Sequence, residues 1–310
     1  MSLAPSRRPP KSLEDLRAEI ALRLTTVVTR FAPAPTGDLH LGHVVNAIYV
    51  WRLARSLGGR IILRIEDHDR QRARRSAEQK MLDDLDWLGL EADVYPTSCY
   101  RAASCDGRQS ERDEVYRRAL APLIAAGQIY GCRCSRAAQA GATPVDQSDA
   151  NAERRYPGTC RDVGIPLTDD VGWRLRVEPG VEEFDDMMLG RQVQDPAAQC
   201  GDLLLRDRLG NWTYQCVASI DDTVQGITLV IRGEDLLAST GRQIRLARLI
   251  GRAAPAMFLH HPLILKSATQ KLSKSDGDSG IADLRARGWS AADVLDHAAT
   301  LAFGASPEET

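Results

Sequence analysis

Two histidines three residues apart, His40 and His43, close the run Arg30-Phe-Ala-Pro-Ala-Pro-Thr-Gly-Asp-Leu-His40-Leu-Gly42-His43. At that spacing both imidazoles share one face of a helix's first turn and can donate hydrogen bonds to phosphate oxygens as charge builds at phosphorus. The run lies between a strand's carboxyl end and a helix start, where open α/β sheets bind ligands and helix amides favour phosphate. Gly42 has no side chain, so a nucleotide base or ribose can come close to the backbone. A second run, Lys271-Leu-Ser-Lys274-Ser275, places mobile ammonium groups on a polar loop, where a lysine can swing over a triphosphate and meet a leaving pyrophosphate. Singly, the first run also reads as a partly buried histidine pair and the second as a solvated loop. Together, each after a strand, they are far more specific.

A third set is Cys132-Arg-Cys134 with Cys160. Three thiolates across a polar loop can bind a tetrahedral Zn²⁺ and leave one place open. Cys99, Cys105, Cys200 and Cys216 show no metal spacing and read as buried or free thiols. Arg60, Arg64, Arg70, Arg72, Arg74 and Arg75 form a basic stretch, opposed in part by Glu66, Asp67 and Asp69, that suits phosphate contacts or a solvated face.

The elements that must carry these groups follow from periodicity. Ser12 with Asp15 three residues on opens a short helix toward Leu24. A β-branched run, Thr25–Thr29, reads as a buried strand, stopped by Pro33, Pro35 and Gly37. Helix 41–57, strand 60–65 and amphipathic helix 76–88 follow. Residues 95–109 look irregular, and a helix spans 110–126. The alternation returns with strand 227–231, helix 239–250 and strand 261–265, and a last helix runs from Ser290 to about Phe303. This order indicates an α/β fold with a Rossmann-like parallel sheet, an inserted module holding the zinc site, and a short helical C-terminal end. The expected units are an N-terminal extension 1–26, catalytic halves 27–109 and 215–280, the insert 110–214, and a C-terminal helix and tail 281–310.

Composition bounds the class. The 310 residues carry 40 Lys+Arg against 42 Asp+Glu, a net charge of −2, so overall charge gives no argument for nucleic acid. A 43% hydrophobic and 26% charged chain is globular rather than disordered. Seven cysteines, an odd count, do not make a disulfide scaffold and point to a reduced compartment. No stretch approaches a membrane span, and the Arg/Pro-rich start lacks a signal peptide's apolar core. The expectation is a cytoplasmic globular protein.

The paired His40-Leu-Gly-His43 and Lys271-Leu-Ser-Lys-Ser275 resemble the two signatures of class I aminoacyl-tRNA synthetases. Arg30-Phe-Ala-Pro-Ala-Pro-Thr-Gly, Arg64-Ile-Glu66-Asp67, Trp87-Leu-Gly-Leu90 and Ile231-Arg232-Gly-Glu-Asp-Leu236 narrow the resemblance to the glutamyl branch. Glutaminyl enzymes typically carry Asn and Asp where this chain has Thr36 and Glu66. The resemblance implies catalysis by His40, His43 and Lys274, and ATP binding by His40, Gly42, His43, Lys271 and Lys274. It also implies a glutamate pocket of Arg30, Phe31, Ala32, Pro33, Ala34, Glu66, Tyr214 and Arg232. Arg30 would then meet a substrate carboxylate and Glu66 the ammonium group, with Tyr214 and Arg232 completing the site. Two basic groups and one acid suit a substrate with two carboxylates and one ammonium. Ala34 departs from the family, which often has Ser there.

The same resemblance adds Tyr156 to Cys132, Cys134 and Cys160 as ligands of one structural zinc, with Mg²⁺ accompanying ATP. Only 35 residues follow Ser275, so no anticodon-binding domain is expected. The chain thus resembles the truncated members of that branch. They activate glutamate with ATP and transfer it to queuosine at the wobble position of tRNA(Asp). The expected partners are ATP, L-glutamate and that tRNA, with no membrane, for a monomer. Three other readings stand beside this one: a compact glutamyl-tRNA synthetase charging an acceptor end, a non-catalytic RNA- or partner-binding relative, and a small-molecule nucleotidylyltransferase. The last shares the histidine motif but lacks the lysine loop with the Glu-type pocket.

Overall fold

The computed structural model describes residues 11–102, 104–135, 155–264 and 280–303. Ser12 caps helix α1 (Leu13–Arg23) by accepting a hydrogen bond from the Asp15 amide. Strand β1 (Val28–Phe31) ends just before Pro33 and Pro35, which cannot donate to a ladder. The chain turns there into helix α2 (Leu41–Ser56). Nine of its residues are buried, from Val44 through Ala54, so α2 is enclosed on nearly every side. Strand β2 (Arg60–Leu63) returns parallel to β1, pairing Val28 with Arg60 and Phe31 with Leu63. Helices α3 (Arg75–Trp87), α4 (Thr97–Arg101) and α5 (Asp113–Ala125) follow.

Strands β3 (Ile129–Cys132) and β4 (Gly172–Leu175) come next, then the hairpin β5 (Glu182–Asp186) and β6 (Gly190–Gln194). Helix α6 (Pro196–Cys200), strand β7 (Leu203–Arg206) and helix α7 (Tyr214–Val224) lead back to the main sheet. It continues with β8 (Leu229–Gly233), α8 (Thr240–Leu249) and β9 (Met257–His261), and the described chain ends with α9 (Ile281–Ala286) and α10 (Ala291–Phe303).

Strands β3, β4 and β7 form an antiparallel sheet, with a core of Tyr116, Leu120, Trp173, Leu175, Leu205 and Trp212 that reaches into α5 and α7. The other sheet runs β6-β5-β9-β8. Its β8 and β9 are parallel, β5 joins β9 in parallel, and β6 is antiparallel to β5. The sheet is therefore mixed and not wholly parallel, because β5 and β6 form a hairpin. Those strands lie inside the span 110–214 expected as one insert, yet β5 pairs with β9 and carries β6 into the same sheet. The strand expected at 261–265 is instead β9, ending at His261, because Pro262 has no amide proton to continue it.

Thr228, just ahead of β8, joins the two halves. Its amide donates to Val28 O at 2.9 Å, and its Oγ1 accepts from the Val28 amide at 2.9 Å, so a hydroxyl completes the link between β1 and β8. From this seam β1 leads through α2 to β2 on one side, and β8 leads through α8 to β9 on the other. The crevice beyond the carboxyl ends of β1 and β8 is a topological switch point, where open α/β sheets bind ligands. Helix α10 covers α2, and Tyr49 Oη donates to Ala302 O at 2.5 Å.

Candidate active site

His40 is the N-cap residue of α2, in extended conformation, and its Nδ1 accepts from the Gly42 amide at 3.1 Å. His43 Nδ1 accepts from the His40 amide at 3.1 Å, and the two rings lie 3.8 Å apart at 37°. An imidazole nitrogen that accepts from an amide carries no proton, so both neutral rings hold theirs on Nε2. Both histidines line the cavity at the switch point. A Cβ at position 42 would stand 3.0 Å from His40 Cε1, so glycine lets the imidazole fold back over the helix start.

His40 also pairs with Gly280 across an isolated bridge, and Ile281 N donates to Leu39 O at 2.9 Å. Lys271 and Lys274 lie outside the described residues.

A cavity of about 310 Å³ opens beside the histidines. Arg30, Phe31, Ala32, Pro33, Glu66, Tyr214 and Arg232 line it together with His40, Gly42 and His43. Ala34 is not on its wall. Chain segments from both halves of the main sheet thus bring nearly all the expected pocket residues together.

Arg232, on β8, is only 3% exposed. Its Nε donates to His260 Nε2 at 3.0 Å, Nη1 to Gln243 Oε1 at 2.7 Å and to Tyr214 Oη at 3.3 Å, and Nη2 to Thr240 Oγ1 at 2.8 Å. His260 Nδ1–H donates to Asp186 Oδ2 at 2.6 Å, which leaves the Nε2 lone pair to accept from Arg232. Burial lowers the His260 pKa and keeps the ring neutral. Arg232 is therefore a buried cation held by four neutral groups. Among the described residues no carboxylate forms an ion pair with it, and none joins it to Glu66. Such a charge is stabilised by an anionic ligand.

Glu66 supplies the opposite sign. It is partly buried, and burial raises its pKa against the pull of the Arg64 and Arg30 guanidiniums. Arg30 is already partly engaged, through Nε to Asp222 Oδ1 at 3.2 Å and Nη1 to Ile231 O at 3.1 Å. Asp222 also binds Arg64. Burial opposes its charge, but Arg30 and Arg64 hold its pKa down at about 2. The cavity wall so presents two cations, Arg232 without a carboxylate ion pair among the described residues and Arg30 partly engaged by Asp222, and two carboxylates, Glu66 and Asp235, beside the histidine pair. Asp222, His260, Asp186, Gln243 and Thr240 were not singled out in the sequence. The signals present are an acidic pair, Asp221-Asp222, in a mostly apolar helix, and a doubled histidine ending a strand.

Residues 26–310 match the family model for tRNA synthetases class I (E and Q), catalytic domain. The chain belongs to this family. It is a synthetase, an enzyme of the ligase kind. Similar proteins include the glutamyl-Q tRNA(Asp) synthetase of Bordetella bronchiseptica, 44% identical over 255 residues, covering 81% of this chain and 75% of the relative. That of Rhodobacter capsulatus is 38% identical and covers 86% of this chain and 98% of its own. Among solved structures, the synthetase resembles a glutamate tRNA ligase from Elizabethkingia meningosepticum in complex with its amino acid. The TM-score is 0.67 at 30% identity, over 82% of this chain and 53% of that one. The synthetase spans about half the length of that structure.

The cysteine cluster of the synthetase lies on β3 and the loops beside it. The thiols of Cys132, Cys134 and Cys160 all lie within 4.8 Å of one another, and Cys134 Sγ is 3.6 Å from Cys160 Sγ. Tyr156 Oη is 3.5 Å from Cys132 Sγ and 3.9 Å from Cys134 Sγ, and accepts from the Cys160 amide at 2.8 Å. Arg174 stacks over the Tyr156 ring at 3.7 Å and donates Nε to Cys132 Sγ at 3.4 Å. Gly201, at φ +65°, lets the backbone of Tyr156 pass close, since a Cβ there would be 2.2 Å from Tyr156 O. Three soft sulfur donors and one oxygen, with a cation to favour thiolate, fit a structural zinc.

Two expectations change. Cys99 and Cys105 are not separate thiols but a disulfide, their Cα atoms 5.7 Å apart. Cys200 and Cys216 are buried free thiols. The basic stretch also divides. Arg64 is fully buried between Asp221 and Asp222, whereas Arg70, Arg72, Arg74 and Arg75 are exposed on the segment before and at the start of α3, and Arg60 is exposed at the start of β2.

Proposed function

We propose that the chain activates L-glutamate with ATP to glutamyl-adenylate and transfers the glutamyl group to queuosine at the wobble position of tRNA(Asp). The observation that carries this reading is Arg232, a buried cation with neutral partners, facing the same cavity as Glu66 and the histidine pair. In this reading Arg232 and Arg30 receive the carboxylates of glutamate, and Glu66 receives its ammonium group. Phe31, Ala32 and Pro33 form the wall against which the substrate's methylenes rest. An oxygen of the α-carboxylate attacks the α-phosphorus, and pyrophosphate leaves. The Nε2–H groups of His40 and His43 donate to phosphate oxygens as their charge grows, and Lys271 and Lys274 serve the same phosphates. Catalysis is then positional and electrostatic. Mg²⁺, bound with ATP, neutralises phosphate charge.

Cys132, Cys134, Cys160 and Tyr156 would hold a structural zinc, which would cross-link β3 to the loop carrying Tyr156. We read residues 27–109 and 215–280 as the two catalytic halves. We read the chain as a cytoplasmic monomer; no helix among the described residues is long and apolar enough to cross a membrane.

The experiment is charging with labelled glutamate, comparing tRNA(Asp) with and without queuosine. Label on the queuosine-containing tRNA alone is the expected result. Label that is independent of queuosine, or on a 3′ end, would favour a compact glutamyl-tRNA synthetase. Absence of glutamate-dependent ATP–pyrophosphate exchange would favour a non-catalytic RNA-binding relative.

A further inference from the structure

A second cavity, of about 710 Å³, lies beside the first, and Tyr214 lines both. Its wall includes His68, Arg72, Arg208, Asn211 and Tyr214. His68 lies on the loop after β2, and its ring centre is 6.4 Å from that of Tyr214.

The tautomer of the His68 ring follows from a chain of contacts that begins in the core. Asp221 is fully buried and receives Arg112 Nε at 2.8 Å and Tyr116 Oη at 3.1 Å, with Arg64 Nη1 at 3.7 Å. Its oxygens face these donors and accept from them. The Gln109 carboxamide must therefore turn its NH₂ toward Asp221, where Nε2 donates to Oδ2 at 2.8 Å. That turns Gln109 Oε1 toward His68 Nδ1, 2.7 Å away. A carbonyl oxygen only accepts, so His68 Nδ1 carries the proton and the neutral ring has its lone pair on Nε2.

The loop is fixed as well as polarised. Gln109 N donates to Ile65 O at 3.1 Å, and Ser110 N donates to Asp67 Oδ1 at 2.8 Å, on either side of the histidine contact.

The other five histidines differ. His40 and His43 accept on Nδ1, the opposite tautomer. His260 is committed to Asp186 and Arg232. His261 Nε2 is sealed from solvent, beneath a stack with Tyr49. His297 packs against Trp289 at 5.6 Å, on the C-terminal helix.

We propose that His68 is the base of the transfer step, taking the proton of the acceptor hydroxyl that enters through the second cavity. This rests on the adenylate reading above. The hydroxyl oxygen bonds to the carbonyl carbon of the mixed anhydride while its proton passes to His68 Nε2. The bond from that carbon to the phosphate oxygen breaks, and AMP leaves with the electron pair. The imidazolium then returns its proton to solvent. Arg72 and Arg208 suit the phosphates flanking a nucleoside that carries the hydroxyl.

The test compares wild type with His68→Gln and His68→Ala, measuring exchange and single-turnover transfer to queuosine-containing tRNA(Asp) in the same preparations. The ratio of transfer to exchange should fall about 10²-fold in both variants. Added imidazole should restore part of the transfer in His68→Ala. Transfer that falls only in step with exchange, or not at all, would overturn the assignment. If wild type itself does not label that tRNA, the acceptor reading fails, and the same ratio is then measured on whichever RNA wild type labels.

Discussion

Arg232 donates its Nε proton to His260 Nε2 at 3.0 Å, so the cation of the cavity is aimed by an imidazole that is itself fixed by Asp186. His260 is fully buried and does not line the cavity, so it acts on a ligand through Arg232. Replacing it with Ala removes a hydrogen bond to a charged group, worth about 1.5–3 kcal/mol. The Michaelis constant for glutamate in ATP–pyrophosphate exchange should rise about 10- to 100-fold, with kcat much less affected.

Burial lowers the His260 pKa below its ordinary 6.5. A depressed histidine contributes stability that is full above the unfolded pKa and is lost as pH falls toward the folded one. Protonation would also remove the acceptor for Arg232. In wild type the glutamate Michaelis constant should therefore stay flat near neutrality and climb on the acid side of 6.5, whereas in His260→Ala this climb should be blunted.

Glu66 has the opposite sign. Burial raises its pKa, so its contribution to folding is greatest when protonated and is lost as pH rises through the raised folded value. Glu66→Gln should be more stable than wild type at neutral pH, with an unfolding midpoint higher by about 2 °C, and the difference should close in acid. Exchange should fall about 10- to 100-fold, since the ammonium group loses a charged partner. Thermal scans at pH 4 and pH 7.5 check the first part. A variant no more stable than wild type would show that Glu66 is not strained by burial.

At His40 two roles sit on two nitrogens, Nδ1 capping the helix and Nε2 facing the site. His40→Asn keeps an acceptor near the Nδ1 position and loses the outer donor. Its thermal midpoint should stay near wild type while exchange kcat falls about 10²-fold. His40→Ala should lose the cap as well, at about 1 kcal/mol. Equal loss of stability in both would mean that the asparagine does not replace the cap.

The cysteine cluster predicts one zinc per chain, measured by elemental analysis. Cys134→Ser should lower metal content and thermal stability together. Exchange should survive at low temperature, because none of the four metal-site residues lines the first cavity. Loss of exchange at full secondary structure would assign the cluster a part in activation.

Much of the site was legible because its residues follow one another in short runs. Arg30 through His43 is a single strand-turn-helix unit, so type and spacing placed both histidines and the pocket wall. Residues that act through space were not legible. Asp222 reaches Arg30 across 192 positions, and nothing local marks it as that partner. The hairpin at 182–194 was absorbed into the insert because alternation gives a strand's existence and not its neighbour. The strand at 261–265 was misplaced by the apolar run Leu-Ile-Leu, when Pro262 fixed the end and the preceding Met257–His261 carried the pairing. Cys99 and Cys105 were read by metal spacing alone, although a separation of six also suits a bridge.

The seam at Thr228 joins residues 200 positions apart. Closing so long a loop is a slow, entropically costly event, although each doubling of length adds only about 0.6 kcal/mol. Arg30 and Glu66 are made early in the chain and Arg232 late, so the charges of the cavity meet only after the intervening module has folded and brought its ends together. In refolding, native fluorescence from Trp173 and Trp212 should therefore appear before glutamate binding does.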